Sequence, residues 1–133
     1  MFKAGGRGSE EARSTKAIGD DAESLALAYL QRQGLVLVQR NYRVAGGPHA
    51  RGAEVDLILR ERDGTLVFVE VRSRAGANHG GALASVGGTK QRRIVRAAQH
   101  YLLRLPVLPP CRFDVVALDA GQISWVKAAF DAG

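Results

Sequence analysis

Two runs of alternating residues face each other across a short polar turn in the middle of the chain. Val55, Leu57 and Leu59 alternate with Asp56 and Ile58; Val67, Val69 and Val71 alternate with Phe68, Glu70 and Arg72. A period of two predicts a pair of strands, and apolar residues in both phases predict a hairpin covered on both faces. The turn decides what the two carboxylates do. A two-residue Asp63-Gly64 turn would pair Leu57 with Glu70 and send Asp56 to the opposite face. A three-residue loop, Arg62-Asp63-Gly64, pairs Asp56 with Glu70, with Gly64 in the left-handed position that such a loop requires. The longer loop is the expectation, and it puts Asp56, Glu70 and Arg72 on one face.

Helical spacing dominates on either side of the hairpin. Ile18, Ala22, Leu25, Ala26, Tyr29 and Leu30 predict a helix from about Ser14 or Thr15 to Gln33, stopped by Gly34. Leu35 to Val44 reads as a first strand and the Gly- and Pro-containing run from Ala45 to Gly52 as a loop, with His49 solvated. Ala75 to Gly88 is a Gly-rich loop in which His79 is a weak candidate for a phosphate contact. No Walker pattern is present, because Lys90 is not followed by Ser or Thr. A second helix is expected from an N-cap at Thr89 to about Leu103, with Ile94, Val95, Ala97, Ala98, Tyr101 and Leu102 as its apolar face. Prolines 106, 109 and 110 end it. Arg112 to Leu118 and Ile123 to Lys127 complete the strands. Residues 1–13 are charged and Gly-rich without apolar period, which predicts a disordered tail ahead of one domain at 14–133. The resulting class is α/β: a mixed central sheet of about five strands flanked by helices, in the order α-β-β-β-α-β-β.

Charge sharpens this picture by where it lies. The formal net charge of the 133-residue chain is +6, yet no Asp or Glu occurs between Val71 and Phe113, a window holding eight Lys and Arg. The rest of the chain is slightly acidic, so the basic surface is local and points to a polyanion such as nucleic acid. Arg74, Lys90, Arg92, Arg93 and Arg96 are the candidate contacts; the alternative is a solvated helix face. Cations in the first turn of the second helix oppose its dipole, and an anion bound there would reverse that balance. The chain's one cysteine, Cys111, excludes an internal disulfide and a cysteine-based zinc site. It suits a reducing cytoplasm, and no apolar run approaches a membrane span.

Asp56 and Glu70 stand among apolar neighbours, where a carboxylate calls for a partner or a metal. Two of them together repel and invite a cation. Oxygen donors alone suit Mg²⁺ or Mn²⁺. The plainer alternative is two solvated carboxylates on a half-exposed face. Glu23, beside the apolar stripe of the first helix, reads from composition as an ordinary surface glutamate.

The order of elements and the placing of the acids resemble the restriction-endonuclease-like core, whose motif is P-D, a spacer, then (D/E)-x-K. The nearer resemblance is to the YraN-like family of uncharacterised bacterial proteins, related to archaeal Holliday junction resolvases. It rests on Gly19 and Glu23 in G-D-D-A-E, Asn41-Tyr42-Arg43, E-V-D-L-I at 54–58, V-F-V-E-V-R at 67–72, the helix start Lys90 to Arg93, and R-F-D-V-V at 112–116. The resemblance implies that Asp56 and Glu70 are metal carboxylates, that the Val71 carbonyl is a further ligand, and that Glu23 is the first-helix glutamate of the site. It puts Arg72 at the motif's Lys position and Val55 at that of the Pro. Arg stays protonated, so Arg72 can orient or stabilise charge but cannot accept a proton from water. Lys90 is the candidate to supply what Arg72 cannot. The activity implied is metal-dependent, structure-selective cleavage of DNA, more than RNA, with catalytic residues Asp56, Glu70, Arg72 and Lys90. Resolvases act as dimers, so a homodimer is compatible with the resemblance. The competing class is a non-catalytic nucleic-acid-binding module on a degenerate nuclease core, and a weaker third is a protein-interaction subunit using the first helix.

Overall fold

A computed structural model describes residues 15–74 and 86–132, with backbone only for 15–20 and 74. The elements run α1 (Thr15–Arg32), β1 (Val36–Val44), β2 (Ala53–Arg60), β3 (Leu66–Arg74), α2 (Gly88–Leu102), β4 (Cys111–Asp119) and β5 (Gln122–Phe130). The strands form one mixed sheet in the order β1-β2-β3-β4-β5, in which only β3 and β4 are parallel. Antiparallel neighbours can be joined by tight turns, whereas the parallel pair needs a crossover, and α2 lies in that connection.

Each helix covers one face. Under α2 lie Tyr42, Val55, Ile58, Phe68, Phe113 and Val115, packed on Ile94, Ala97, Ala98 and Tyr101. Under α1 lie Leu57, Leu59, Val67, Val69, Val116 and Leu118, packed on Ala22, Ala26 and Leu30. The two-sided burial read from the hairpin is therefore met by one helix per side. Phe68, Ile58, Leu57, Leu59 and Val69 are fully buried. Removing such a side chain would cost about 2–5 kcal/mol through lost transfer energy and the cavity left behind.

The hairpin takes the longer loop. Leu57 pairs with Val69, Ile58 with Phe68 and Leu59 with Val67, so the last paired rung, Leu57 with Val69, lies next to Asp56 and Glu70. Glu61 and Thr65 close the loop through a 2.9 Å hydrogen bond from the Glu61 amide, and Gly64 sits at φ 95°. Two expectations need correction. Val55 does not share a face with Leu57 and Leu59: it packs under α2 beside Ile58, so the alternation slips at Asp56. The second helix begins at Gly88 with Gly87 as its N-cap, not at Thr89. The Gly87 carbonyl accepts the first helical bond, from Gln91, at 2.9 Å, and Thr89 lies inside the first turn, where its hydroxyl accepts from Arg92. The tail at 1–13 and His79 lie outside the described residues. No helix among the described residues is long and apolar enough to cross a membrane.

Candidate active site

β3 presents Glu70 and Arg72 on the face that α2 covers, because Phe68, two residues earlier, packs there. Glu70 is only 2% exposed. Two cations converge on its Oε2: the Arg72 guanidinium donates at 3.2 Å, and Lys90 Nζ, from the first turn of α2, stands at 3.6 Å. Lys90 thus enters from the second helix, as expected, and meets the same carboxylate as Arg72.

Asp56 lies between two acids. Its Oδ2 accepts a 2.9 Å hydrogen bond from the Val71 amide, and its carboxyl lies close enough to Glu70 to feel its charge. Burial, first, and the Glu70 charge, second, push its pKa from 3.8 up to about 8; the Val71 amide opposes them. On its other side is Glu23 of α1, which feels the Asp56 charge. Burial and that charge raise the Glu23 pKa above the usual carboxylate range, while hydrogen bonds from Arg40 and Asn41 pull it back. The Arg40 contact is 3.4 Å, and the same nitrogen reaches Ser24 Oγ at 3.4 Å. Glu23, an unremarkable helix-surface residue by composition, is thereby drawn to the carboxylate pair.

The donor set suits a hard divalent cation. Asp56 and Glu70 offer carboxylate oxygens side by side. A strand residue sends its N–H and C=O to the same edge, so the Val71 carbonyl faces β2 as its amide does. Mg²⁺ takes one or two carboxylates and keeps several waters. Among the described residues no three His, Cys, Asp or Glu side chains form a ready ligand set by themselves, so two carboxylates, a carbonyl and solvent are the matching complement.

The basic residues divide into separate groups. Arg93 donates from Nε to the Gly52 carbonyl at 3.0 Å, and Arg96 to the Arg51 carbonyl at 2.9 Å. Both tie α2 to the loop before β2. Arg92 and Arg96 also line an open groove of about 410 Å³ with Gly88, Gln99 and Asp131. Arg74 closes β3, and its side chain is not described. The window of eight basic residues is therefore not one uniform surface: Lys90 and Arg72 serve the carboxylates, Arg93 braces a loop, and Arg92 is exposed.

The model of uncharacterised protein family UPF0102 matches residues 22–118. The chain belongs to this family. Among UPF0102 relatives, the protein of Methylibium petroleiphilum is 67% identical over 119 residues, covering 90% of this chain and 98% of its own. That of Acidovorax sp. (strain JS42) is 59% identical over 125 residues, covering 94% and 92%. That of Cupriavidus metallidurans is 61% identical over 122 residues, covering 92% and 87%. The matched segment in this UPF0102 chain contains Glu23, Asp56, Glu70, Arg72 and Lys90.

Two groups escaped the reading of residues. Arg40 and Asn41 of β1 face Glu23; the one available signal was an Asn, a poor strand former, in the middle of a strand pattern. The second group is Asp114, fully buried, which accepts from Arg112 Nε, Trp125 Nε1 and the Ala128 amide, while Arg112 also pairs with Glu61. Sequence placed Asp114 only at a strand start, since two of its three partners, Trp125 and Ala128, lie on β5.

Proposed function

We propose that the centre on Asp56 and Glu70 binds Mg²⁺ or Mn²⁺ and hydrolyses phosphodiester bonds in nucleic acid, with DNA the favoured substrate. The observation that carries this reading is the pairing of two carboxyls at neighbouring strand positions, with Lys90 and Arg72 converging on one of them. A protein that only bound phosphate would gain nothing from acids facing its ligand. The resemblance to resolvase-type nucleases adds to this, and the local basic surface supplies attraction for a polyanion.

Asp56, Glu70 and the Val71 carbonyl would hold the cation, and Glu23 would border it. When bound, such an ion provides a water of lowered pKa and polarises a phosphoryl oxygen. Lys90 and Arg72 neutralise charge that develops on the phosphate. Arg92, exposed at the start of α2, contacts the backbone of the substrate and positions it without reading sequence. Arg93 and Arg96 keep the loop before β2 against α2.

One observation favours a second reading, a binding module without catalysis. Arg occupies the position of the motif's Lys and cannot take a proton from water, and both nearby cations are engaged with Glu70. Incubating the protein with Mn²⁺ or Mg²⁺ and duplex, flap and four-way DNA separates the two. Metal-dependent cleavage that is abolished in Asp56→Asn establishes the nuclease. DNA binding with no cleavage of any of the three leaves the binding module.

A further inference from the structure

β1 carries a backbone irregularity opposite the carboxylate centre, of a kind that β5 shows at Ala128 with φ 52°. Asn41, in the middle of a nine-residue strand, has φ 53°. Positive φ is uncommon outside glycine, and Asn is one of the few side chains that tolerates it. In the β1–β2 ladder Arg40 pairs with Leu57 and Tyr42 with Val55, so the missing rung between them is Asn41 opposite Asp56. Asp56 is the residue at which β2 slips in its own alternation. The two irregularities therefore sit face to face at the carboxylate centre.

The side chains explain the location. Asn41 and its neighbour Arg40 are the polar groups of β1 that face Glu23. In a regular strand, consecutive residues point to opposite faces, and two neighbours could not both meet one glutamate on α1. Tyr42 packs under α2 and Arg40 reaches α1, so the left-handed turn at Asn41 is where β1 changes which face it addresses. The Arg40 contact by itself is loose, at 3.4 Å, with its Nε buried and without a partner. Glu23, 13% exposed in its side chain, is nonetheless held beside Asp56. Such local strain persists when the surroundings over-determine it, and it clusters at functional sites.

We infer that Asn41 is a positioning residue: its left-handed backbone aims the carboxamide at Glu23 and fixes that carboxylate beside Asp56, at the border of the cation centre. The inference rests on the metal-centre reading given above and adds the residue that completes it. Asn41 acts through Glu23 and touches neither cation nor substrate.

The test uses the full chain with Asn41→Gly, Glu23→Gln and the double variant. Glycine keeps the positive φ and removes only the carboxamide. Two quantities are read: the urea unfolding midpoint without metal, and the affinity for Mn²⁺ by calorimetry. The expected result is about tenfold weaker Mn²⁺ binding in each single variant, the usual scale for groups that orient a ligand. The double variant should be no weaker than the worse single, and the metal-free midpoints should be non-additive for the same pair. Additive midpoints would show that the two side chains are independent and would overturn the inference, as would Mn²⁺ affinity in Asn41→Gly equal to that of the parent protein. If the parent protein binds no Mn²⁺ but the midpoints are non-additive, the positioning of Glu23 stands and the metal centre falls.

Discussion

Replacing Asp56 by Asn should make the metal-free protein more stable, and increasingly so as pH rises. Asp56 holds its proton up to about pH 8 in the folded chain, against 3.8 as its ordinary value, chiefly because of burial and the Glu70 charge. Between those two values the folded state carries a proton that the unfolded chain has released. Stability therefore falls as pH rises through that window, and the loss is complete above about 8. A shift of this size has a ceiling of about 5–6 kcal/mol at 1.36 kcal/mol per pH unit. Relaxation and water penetration at this half-buried position reduce it, so ~2–3 kcal/mol is the working figure. Asn resembles the protonated acid in volume and hydrogen bonding, and it has no such cost. Its advantage should be near zero around pH 4 and reach that figure by about pH 8–9.

The assay is urea unfolding followed by the fluorescence of Trp125, the chain's single tryptophan, for both proteins across that pH range. The difference between the two curves isolates Asp56 from every other titrating group. Saturating Mn²⁺ at about 100 times its dissociation constant should add ~2.7 kcal/mol to the parent protein and close the gap, while leaving Asp56→Asn unmoved. A variant less stable than the parent at pH 8, or a difference independent of pH, refutes the argument: Asp56 would then be an ordinary structural carboxylate whose charge the fold uses.

Lys90→Met should lower metal-dependent cleavage by about a hundredfold or more, with Mn²⁺ affinity unchanged or higher, because a cation 3.6 Å from Glu70 has gone; single-turnover cleavage beside calorimetry reads both. Arg92→Ala should reduce the slope of log affinity against log salt on duplex DNA by about 0.9, as one phosphate contact is lost, and an unchanged slope would make Arg92 a solvated residue. Arg93→Ala should lower the unfolding free energy by about 1–2 kcal/mol, since its Nε satisfies the Gly52 carbonyl at 3.0 Å; unaltered stability would free Arg93 for a purely nucleic-acid role. Asp114→Ala should cost about 3–5 kcal/mol by leaving the half-buried Arg112 without one of its two acids, read by the same urea titration.

The two-layered sheet was legible because local pattern and burial agree. β3 alternates throughout and β2 from Leu57 on, each helix has one apolar stripe, and Gly64 fixes the loop length that brings Asp56 and Glu70 next to the last paired rung, Leu57 with Val69. The carboxylate pair was legible for the same reason: a register is arithmetic once the turn is known. What resisted reading depends on backbone that departs from its period. Val55 changes face because the alternation slips at Asp56, and no periodicity count contains that slip. Arg93 and Arg96 looked like one continuous phosphate grip because sequence gives the face of a helix but not the carbonyls of a distant loop that occupy it. Glu23 needed the resemblance, since its partners Asp56, Arg40 and Asn41 lie on two other elements.

These departures have a common location. The ladder rung without a regular pair, the slip in β2 and the left-handed residue in β1 all occur at Asp56 or opposite it. Elsewhere the hairpin is regular and its apolar residues are fully buried, which gives the rigid frame needed to hold a strained segment in place. The sheet is also irregular beside Asp114, where β4–β5 shifts register and Ala128 has φ 52°, but there Arg112, Trp125 and the Ala128 amide satisfy the acid, whereas at Asp56 a second acid stands beside it. The irregularity at Asp56 gathers Glu23, Asp56 and Glu70 within reach of Arg40, Arg72 and Lys90. Three acids balanced by three bases could be a purely structural network, but a structural network gains nothing from keeping one of its acids protonated up to about pH 8. An added cation removes that penalty, and this is why metal-free stability and Mn²⁺ affinity, measured on the same variants, discriminate between the two origins of the cluster more sharply than cleavage alone.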